Sequence, residues 1–356
     1  MNPGTEFYSN TREARRVLVI DPGMLGDTLH LLPAMRQLRY SYPQAELHVL
    51  CSPVGAELHR MAGCASRLWV LPQGRQQRRL TEQLRVLIGL RRLRFDASIN
   101  FGTNDRNLIY AAIIGARRRL GRRLDRWHFW SCWCVPDWVS ASGQGKPAFE
   151  ERRLMLAAAG FPLEEARFSL AVPAEEKVWA AANVPAGALH FSINASTLVK
   201  EWPLGHWQEL ARLLRQEGGR PIIATGSNHS REKQRLDAFA AAVPEARIFA
   251  GLPLKRLAAL IERCSLHVGA DSGVLHLALA VGTPTISLFR DYSGWQIWAP
   301  QGEAHKVLSV HCECAGNKGV ACLERKEAVC LAGISPEAVL SAIHEKLPLL
   351  VRDARA

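Results

Sequence analysis

R-V-L-V-I-D-P-G-M-L-G-D-T-L-H-L-L-P-A-M, residues 16–35, is a short apolar strand that runs through a turn into a helix. Arg16–Ile20 carries a continuous apolar run, and apolar residues then recur at Leu29, Leu32, Met35 and Leu38 with helical spacing beyond the turn. The G-M-L-G-D part, residues 23–27, holds two glycines and one carboxylate, Asp27, in a strongly basic chain. The same switch recurs along the first half. Strands are expected at 46–51, 67–72 and 97–101, and helices at 28–41, 54–62, 76–94 and 104–115. In the second half, strands are expected at 188–194, 221–226, 247–251, 266–271 and 285–289. Helices are expected there at 204–218, 230–243, 254–264, 273–281 and 335–347. Strand–helix alternation predicts parallel sheets wrapped by helices, and 356 residues suffice for two such cores. The expected architecture is α/β, with two Rossmann-like doubly wound domains, 1–172 and 173–334, facing across a cleft. The joint falls near A-V-P-A-E-E-K (171–177), and a terminal helical segment covers 335–356.

Composition is that of an ordinary globular chain, 48% hydrophobic and 22% charged. It lacks an apolar run long enough to span a bilayer, and the first sixteen residues lack a signal-peptide core. A cytoplasmic protein is expected. The formal charge of +12 is concentrated between Arg67 and Arg126, where fifteen arginines face four acids. Such a patch attracts a polyanion: nucleic acid, an anionic membrane face or a phosphorylated substrate. A solvated arginine-rich surface is the plainer alternative. Residues 126–140 hold Trp127, Trp130, Trp133 and Trp138, which suit either a membrane-interface surface or bulk packed on the domain. No G-x-G-x-x-G follows a strand, and no Walker A or zinc-finger spacing occurs, which disfavours a dehydrogenase, a phosphate-loop NTPase and a classical DNA-binding module.

In open α/β sheets ligands bind beyond the carboxyl ends of the strands. Three turns there carry polar residues. Asp27 serves either as a helix cap or as a reacting carboxylate, with Met24 and Gly26 completing its turn; Gly26 permits close backbone approach. In H-V-G-A-D-S-G-V-L-H (267–276), the N–H groups of Ser272, Gly273 and Val274 at a helix start suit a diphosphate. Asp271 ends the strand, and His276 reaches a phosphate or sugar hydroxyl; an ordinary cap is the alternative. In F-S-I-N-A-S-T-L-V-K-E-W-P (191–203), Ser196 and Thr197 follow a strand and Lys200 precedes Trp-Pro. A lysine there neutralises charge on a leaving phosphate, or is simply solvated. Together they suit group transfer from a diphosphate donor, with the acid as base and the lysine and helix dipole on the leaving group.

G-D-T-L-H-L-L-P-A-M, K-E-W-P-L-G-H-W and A-D-S-G-V-L-H-L-A-L-A-V-G-T-P-T-I-S-L-F resemble the hallmark segments of glycosyltransferase family 9, in the family's order and spacing. That resemblance implies a GT-B fold, with acceptor on the N-terminal domain, nucleotide-sugar on the C-terminal one, and a last helix crossing back to the first. It implies inverting, metal-independent transfer of heptose from ADP-heptose to a lipopolysaccharide core or related glycan, at the inner face of the inner membrane. Another nucleotide-sugar or a protein acceptor is the alternative within the family. By position, the resemblance makes Asp27 the base and puts Lys200 near the donor phosphate. Ser196, Thr197, Gly226, Glu232, Asp271, Ser272, Gly273, Val274 and His276 then fall at the donor. It departs at Asp21-Pro22, where the family often carries a basic residue. From a different class, a basic nucleic-acid-binding protein is the rival, but no groove-reading motif supports it.

Nine cysteines are present. Cys51, Cys64, Cys132, Cys134 and Cys264 sit in apolar surroundings and read as free thiols. Cys312, Cys314, Cys322 and Cys330, spaced C-x-C-x7-C-x7-C, read either as a structural zinc or iron site or as thiols or disulfides. Catalysis itself is expected to need no cofactor.

Overall fold

The computed structural model describes residues 3–353 apart from 73–76, 103, 124–127, 141–144, 164–167, 313–314, 316–321, 323 and 325–326. Side chains are described outside 77–79 and 348–353. Two compact units divide at Phe168/Ser169, four residues before the sequence-based boundary.

The first unit is built on β1 (Arg16–Asp21), β2 (Glu46–Cys51), β3 (Arg67–Val70), β4 (Ala97–Asn100), β5 (Arg118–Arg122) and β6 (Asp137–Val139). All pairings are parallel, in the order β3-β2-β1-β4-β5-β6. Strand β1 is buried on both faces. Val17 and Val19 enter one core with Met35, Leu38 and Met155. Leu18 and Ile20 enter the other with Leu87, Leu90 and Tyr110. Two-sided burial is why this strand is a continuous apolar run. Helices α1 (Phe7–Thr11), α2 (Leu25–Ser41), α3 (Pro53–Ala62), α4 (Gln77–Arg92), α5 (Asp105–Ile114), α6 (Ser131–Cys134) and α7 (Ala148–Ala158) complete the unit.

The second unit repeats the plan with α8 (Ala174–Asn183), β7 (Leu189–Ser192), α9 (Leu204–Gln216), β8 (Ile222–Gly226), α10 (Ser230–Ala242), β9 (Arg247–Ala250), α11 (Leu254–Arg263), β10 (Leu266–Ala270), α12 (Gly273–Ala280), β11 (Thr285–Leu288) and β12 (His305–Leu308). Its parallel sheet has the order β12-β11-β10-β7-β8-β9. Leu189, Phe191, Leu266 and Val268 face one core with Trp202, Trp207 and Phe239. Their alternates include a polar pair, His190 and His267, at facing positions of neighbouring strands. His267 Nδ1 and His190 Nδ1 lie 2.7 Å apart, and His190 Nε2 lies 2.8 Å from Thr225 Oγ1.

Three differences from the sequence reading stand out. Strands β5, β6 and β12 were not expected. Strand β5 reads R-R-L-G-R, and its arginines are held locally: Arg118 pairs with Asp137 at 2.6 Å and Arg122 with Glu151 at 2.8 Å. Part of the arginine excess is therefore structural. The expected joint at 171–177 instead ends in the first turn of α8, tied to α11 by Glu176–Lys255 at 2.9 Å and Glu176–Arg256 at 3.0 Å. The last helix, Pro336–Asp353, places Val339, Ala342, Ile343 and Leu347 in the second unit's own core.

Candidate active site

Each sheet has the doubly wound order, so each has one switch point, between β1 and β4 and between β7 and β10. The polar residues singled out from the sequence lie at the carboxyl ends of these strands or of their neighbours.

In the second unit, Lys200 Nζ lies 2.6 Å from Asp271 Oδ2. Lys200 closes a single helical turn, Leu198–Lys200, after β7; Asp271 ends β10 immediately before α12. Tyr292 donates its hydroxyl to the same Asp271 oxygen at 3.3 Å, and burial beside that carboxylate pushes the phenol's pKa upward. His276 Nε2 stands 3.8 Å from Asp271 Oδ1, its ring against Trp298. Ser272 occupies the cap position of α12, yet its buried Oγ lacks a hydrogen-bond partner among the described residues. The leading N–H groups of α12, those of Gly273 and Val274 included, have no intrahelical acceptor. A cation, a helix N-terminus and a spare hydroxyl converge on one strand end, an arrangement with the chemistry to hold an anion.

Ser196 and Thr197 are exposed in the loop carrying Lys200, and Thr197 O accepts the Lys200 N–H at 3.0 Å. Trp202 pins that loop: it is fully buried and donates Nε1–H to Ile334 O at 2.9 Å. A brace that sequence reasoning missed completes the anchorage. Buried Glu201 pairs with Arg231 and accepts the Ala195 N–H, while Arg235 lies 3.8 Å from it and donates to Ile193 O at 3.0 Å. Burial lowers the Arg235 pKa, and the Glu201 carboxylate opposes the shift. Gly226 ends β8 where a Cβ would stand 2.7 Å from Asn194 Nδ2 and 2.6 Å from Leu236 Cδ1. Asn194 itself was missed, though both its amide atoms are buried at the end of β7 without a partner among the described residues. Glu232, in the first turn of α10, accepts the Ser227 N–H at 2.8 Å.

In the first unit, Asp27 is the third residue of α2 and accepts the Met24 N–H at 3.2 Å, so the cap it was expected to form is present. The other oxygen lies 3.7 Å from Arg152 Nη2, and the carboxylate is 42% exposed, which leaves it open to a ligand. Met24 is 60% exposed beside it, and Gly26 lies within the first turn of α2. Gly23 is confined: a Cβ would stand 2.7 Å from Asp27 Cβ and 3.0 Å from Asp21 Oδ1. Asp21, the departure in the motif, is buried and stands 3.8 Å from His59 Nε2. Burial lowers the Arg152 pKa, and Asp21 and Asp27 both oppose the shift. Asp21 is thus enclosed beside His59, in the field of Arg152, rather than exposed.

Of the cysteine cluster, Cys312, Cys322 and Cys330 form no disulfide among the described residues, while Cys314 lies outside the described residues, as does Trp127. Burial raises the Cys330 pKa, and Cys312 and Cys322 add to the rise. Among the described residues no group of three or more His, Cys, Asp or Glu side chains is placed to hold a metal ion.

Two doubly wound parallel sheets of these strand orders give the GT-B architecture of α/β glycosyltransferases. Solved structures bear out the fold. The E. coli ADP-heptose lps heptosyltransferase II matches with TM-score 0.74 at 21% identity over 96% of this chain and 100% of that one. A glycosyl transferase family 9 structure from Veillonella parvula matches with TM-score 0.79 at 18% identity over 95% and 98%. Within that class the chain belongs to glycosyltransferase family 9 (heptosyltransferase), whose model matches residues 89–327. Lipopolysaccharide heptosyltransferase 1 of Pseudomonas aeruginosa is 25% identical over 77% of this chain and 78% of its own length. The protein is a glycosyltransferase.

Proposed function

We propose that this enzyme transfers a heptose from ADP-heptose to a lipopolysaccharide core or related glycan, with inversion at the anomeric carbon. The observation that carries the reading is the Lys200–Asp271 pair at the start of α12, where a cation and a helix N-terminus share one strand end. The donor's diphosphate takes the first-turn N–H groups of α12, Ser272 Oγ and Lys200. His276 reaches the sugar or a phosphate, and Gly226, Glu232, Ser196 and Thr197 line the nucleoside side. Asp27 removes the proton from the acceptor hydroxyl. That oxygen bonds to the anomeric carbon, the bond from that carbon to the diphosphate oxygen breaks, and its electron pair leaves on ADP. Lys200 and the helix dipole stabilise the leaving group, the role a metal fills in other transferases, so the reaction proceeds without one. The names of the relatives, a lipopolysaccharide heptosyltransferase and an ADP-heptose enzyme, support donor and acceptor alike. Incubating the protein with ADP-heptose and deacylated core acceptor, with and without EDTA, tests it. ADP release in both conditions is expected, and no release with ADP-heptose but turnover with another nucleotide-sugar would reassign the donor.

We also propose that the first unit meets the anionic inner face of the cytoplasmic membrane. Among the described residues no helix is long and apolar enough to cross a membrane. Phe129 and Trp133, 82% and 74% exposed, pack edge to face at 6.2 Å. Leu80, Leu84 and Ile88 form an exposed stripe along α4, within the arginine-rich stretch. Exposed aromatic and aliphatic side chains set among cations suit an anionic lipid interface.

A further inference from the structure

Arg290 follows β11, the strand beside β10, and was not singled out from the sequence. Its Nε and Nη1 are buried, and neither has a hydrogen-bond partner among the described residues. A guanidinium buried with unmade hydrogen bonds is costly, so such a group is retained where a ligand completes it. Its Cζ lies 5.1 Å from the centroid of the Tyr292 ring, and the Tyr292 hydroxyl reaches Asp271 Oδ2 at 3.3 Å. Arg290 is thus stacked one ring's length from the Lys200–Asp271 pair. The carboxylates nearby are committed elsewhere. Asp291, next in the chain, accepts the Cys312 N–H at 2.9 Å and faces His311 Nδ1 at 3.2 Å. Asp271 is taken up by Lys200 and Tyr292, with His276 at 3.8 Å.

The charge count points to the ligand. Lys200 and Arg290 stand against one carboxylate, and the α12 N-terminus adds partial positive charge. One negative charge on a ligand leaves that excess partly unmet; a diphosphate meets it. The planar guanidinium of Arg290, placed over the Tyr292 ring, offers parallel N–H groups to two oxygens, the chemistry that favours Arg over Lys at phosphates.

We propose that Arg290, stacked on Tyr292, binds the diphosphate of the nucleotide-sugar donor and makes the site discriminate diphosphates from monophosphates. This rests on the donor site assigned above. The test is calorimetric titration of the full chain with ADP and with AMP, using wild type, Arg290→Gln and Arg290→Lys. Losing one charge-assisted contact predicts that Arg290→Gln weakens ADP by roughly 10- to 100-fold and AMP by far less. Arg290→Lys is expected to fall between, because it keeps the charge and loses the fork. Unliganded Arg290→Gln is expected to melt close to wild type, since two buried N–H donors without a partner among the described residues are removed. Unchanged ADP affinity in Arg290→Gln, or equal loss for ADP and AMP, would overturn the assignment. If that variant does not fold, Arg290→Lys decides alone: ADP binding equal to wild type overturns the proposal. Failure of the wild type to bind ADP at all would instead remove the donor site itself.

Discussion

Lys200 and Asp271 lie 71 residues apart in the chain and 2.6 Å apart in the fold. They meet because β7 and β10 are neighbours in the second sheet, so the turns that follow them open on the same edge. Lys200 is 30% exposed and Asp271 8%, so the acid holds the lysine while leaving it partly open to solvent. Lys200→Met therefore removes leaving-group stabilisation, and kcat/KM should fall roughly 100- to 1,000-fold, as for loss of one preorganised donor. Steady-state ADP release at saturating acceptor checks this; a loss under threefold would place Lys200 outside the reaction.

Asp27→Asn keeps the size of the side chain and part of the cap while abolishing the base. The expected outcome is a fall in kcat of roughly 100- to 10,000-fold with ADP affinity unchanged, because the donor lies on the other unit. Turnover and ADP titration on the same preparation separate the two effects. Asp27→Ala should add a stability loss of about 1 kcal/mol from the missing N-terminal cap.

The His190–His267 pair predicts a pH dependence of stability. Burial lowers the His190 pKa from 6.5 to about 3 and lowers that of His267 as well, with the neighbouring His190 adding to the shift. Between those limits the unfolded chain binds protons that the folded one does not, so stability rises with pH. It is complete above about pH 6.5 and is lost as pH falls towards the folded values, by roughly 3–5 kcal/mol for His190 alone. Urea unfolding between pH 7.5 and 5 should show the midpoint falling, with a shallower fall in His190→Asn. An identical slope in the variant would assign the effect elsewhere.

Vesicles separate the membrane surface from the catalytic one. The full chain should co-sediment with phosphatidylglycerol vesicles and not with phosphatidylcholine, and release as salt shortens the screening length. Phe129→Ser with Trp133→Ser should weaken that binding several-fold, by loss of buried aromatic area, while ADP affinity stays unchanged. Vesicle binding unaltered in the double variant would move the contact off this pair.

Much of this was legible from local signals. Strand β1 is apolar throughout because both its faces are covered, so length and flanking turns alone located it. Asp27 and Asp271 were legible because each stands where a strand gives way to a helix, a place that period changes mark. Strands β5 and β12 were not. Strand β12 is an edge strand, covered less fully and tolerant of lysine, and β5 is only partly buried with its arginines paired locally, so R-R-L-G-R and H-K-V-L carry no strand pattern. Asn194 and Arg290 were equally silent. A polar residue left without a partner has no signature in a linear sequence; only the packing around it reveals that nothing answers it.

The sequence by itself determined the two-sheet α/β class, the strand–turn–helix units and the residues poised at their turns, since periodicity and turn chemistry act over a few residues. Tertiary structure alone decided which turns converge. It set Lys200 against Asp271, enclosed Asp21 with His59 and Arg152, and left Arg290 without a hydrogen-bond partner for two of its N–H groups beside Tyr292. Each of those depends on strand order, because a parallel sheet brings together chain segments that no local pattern relates.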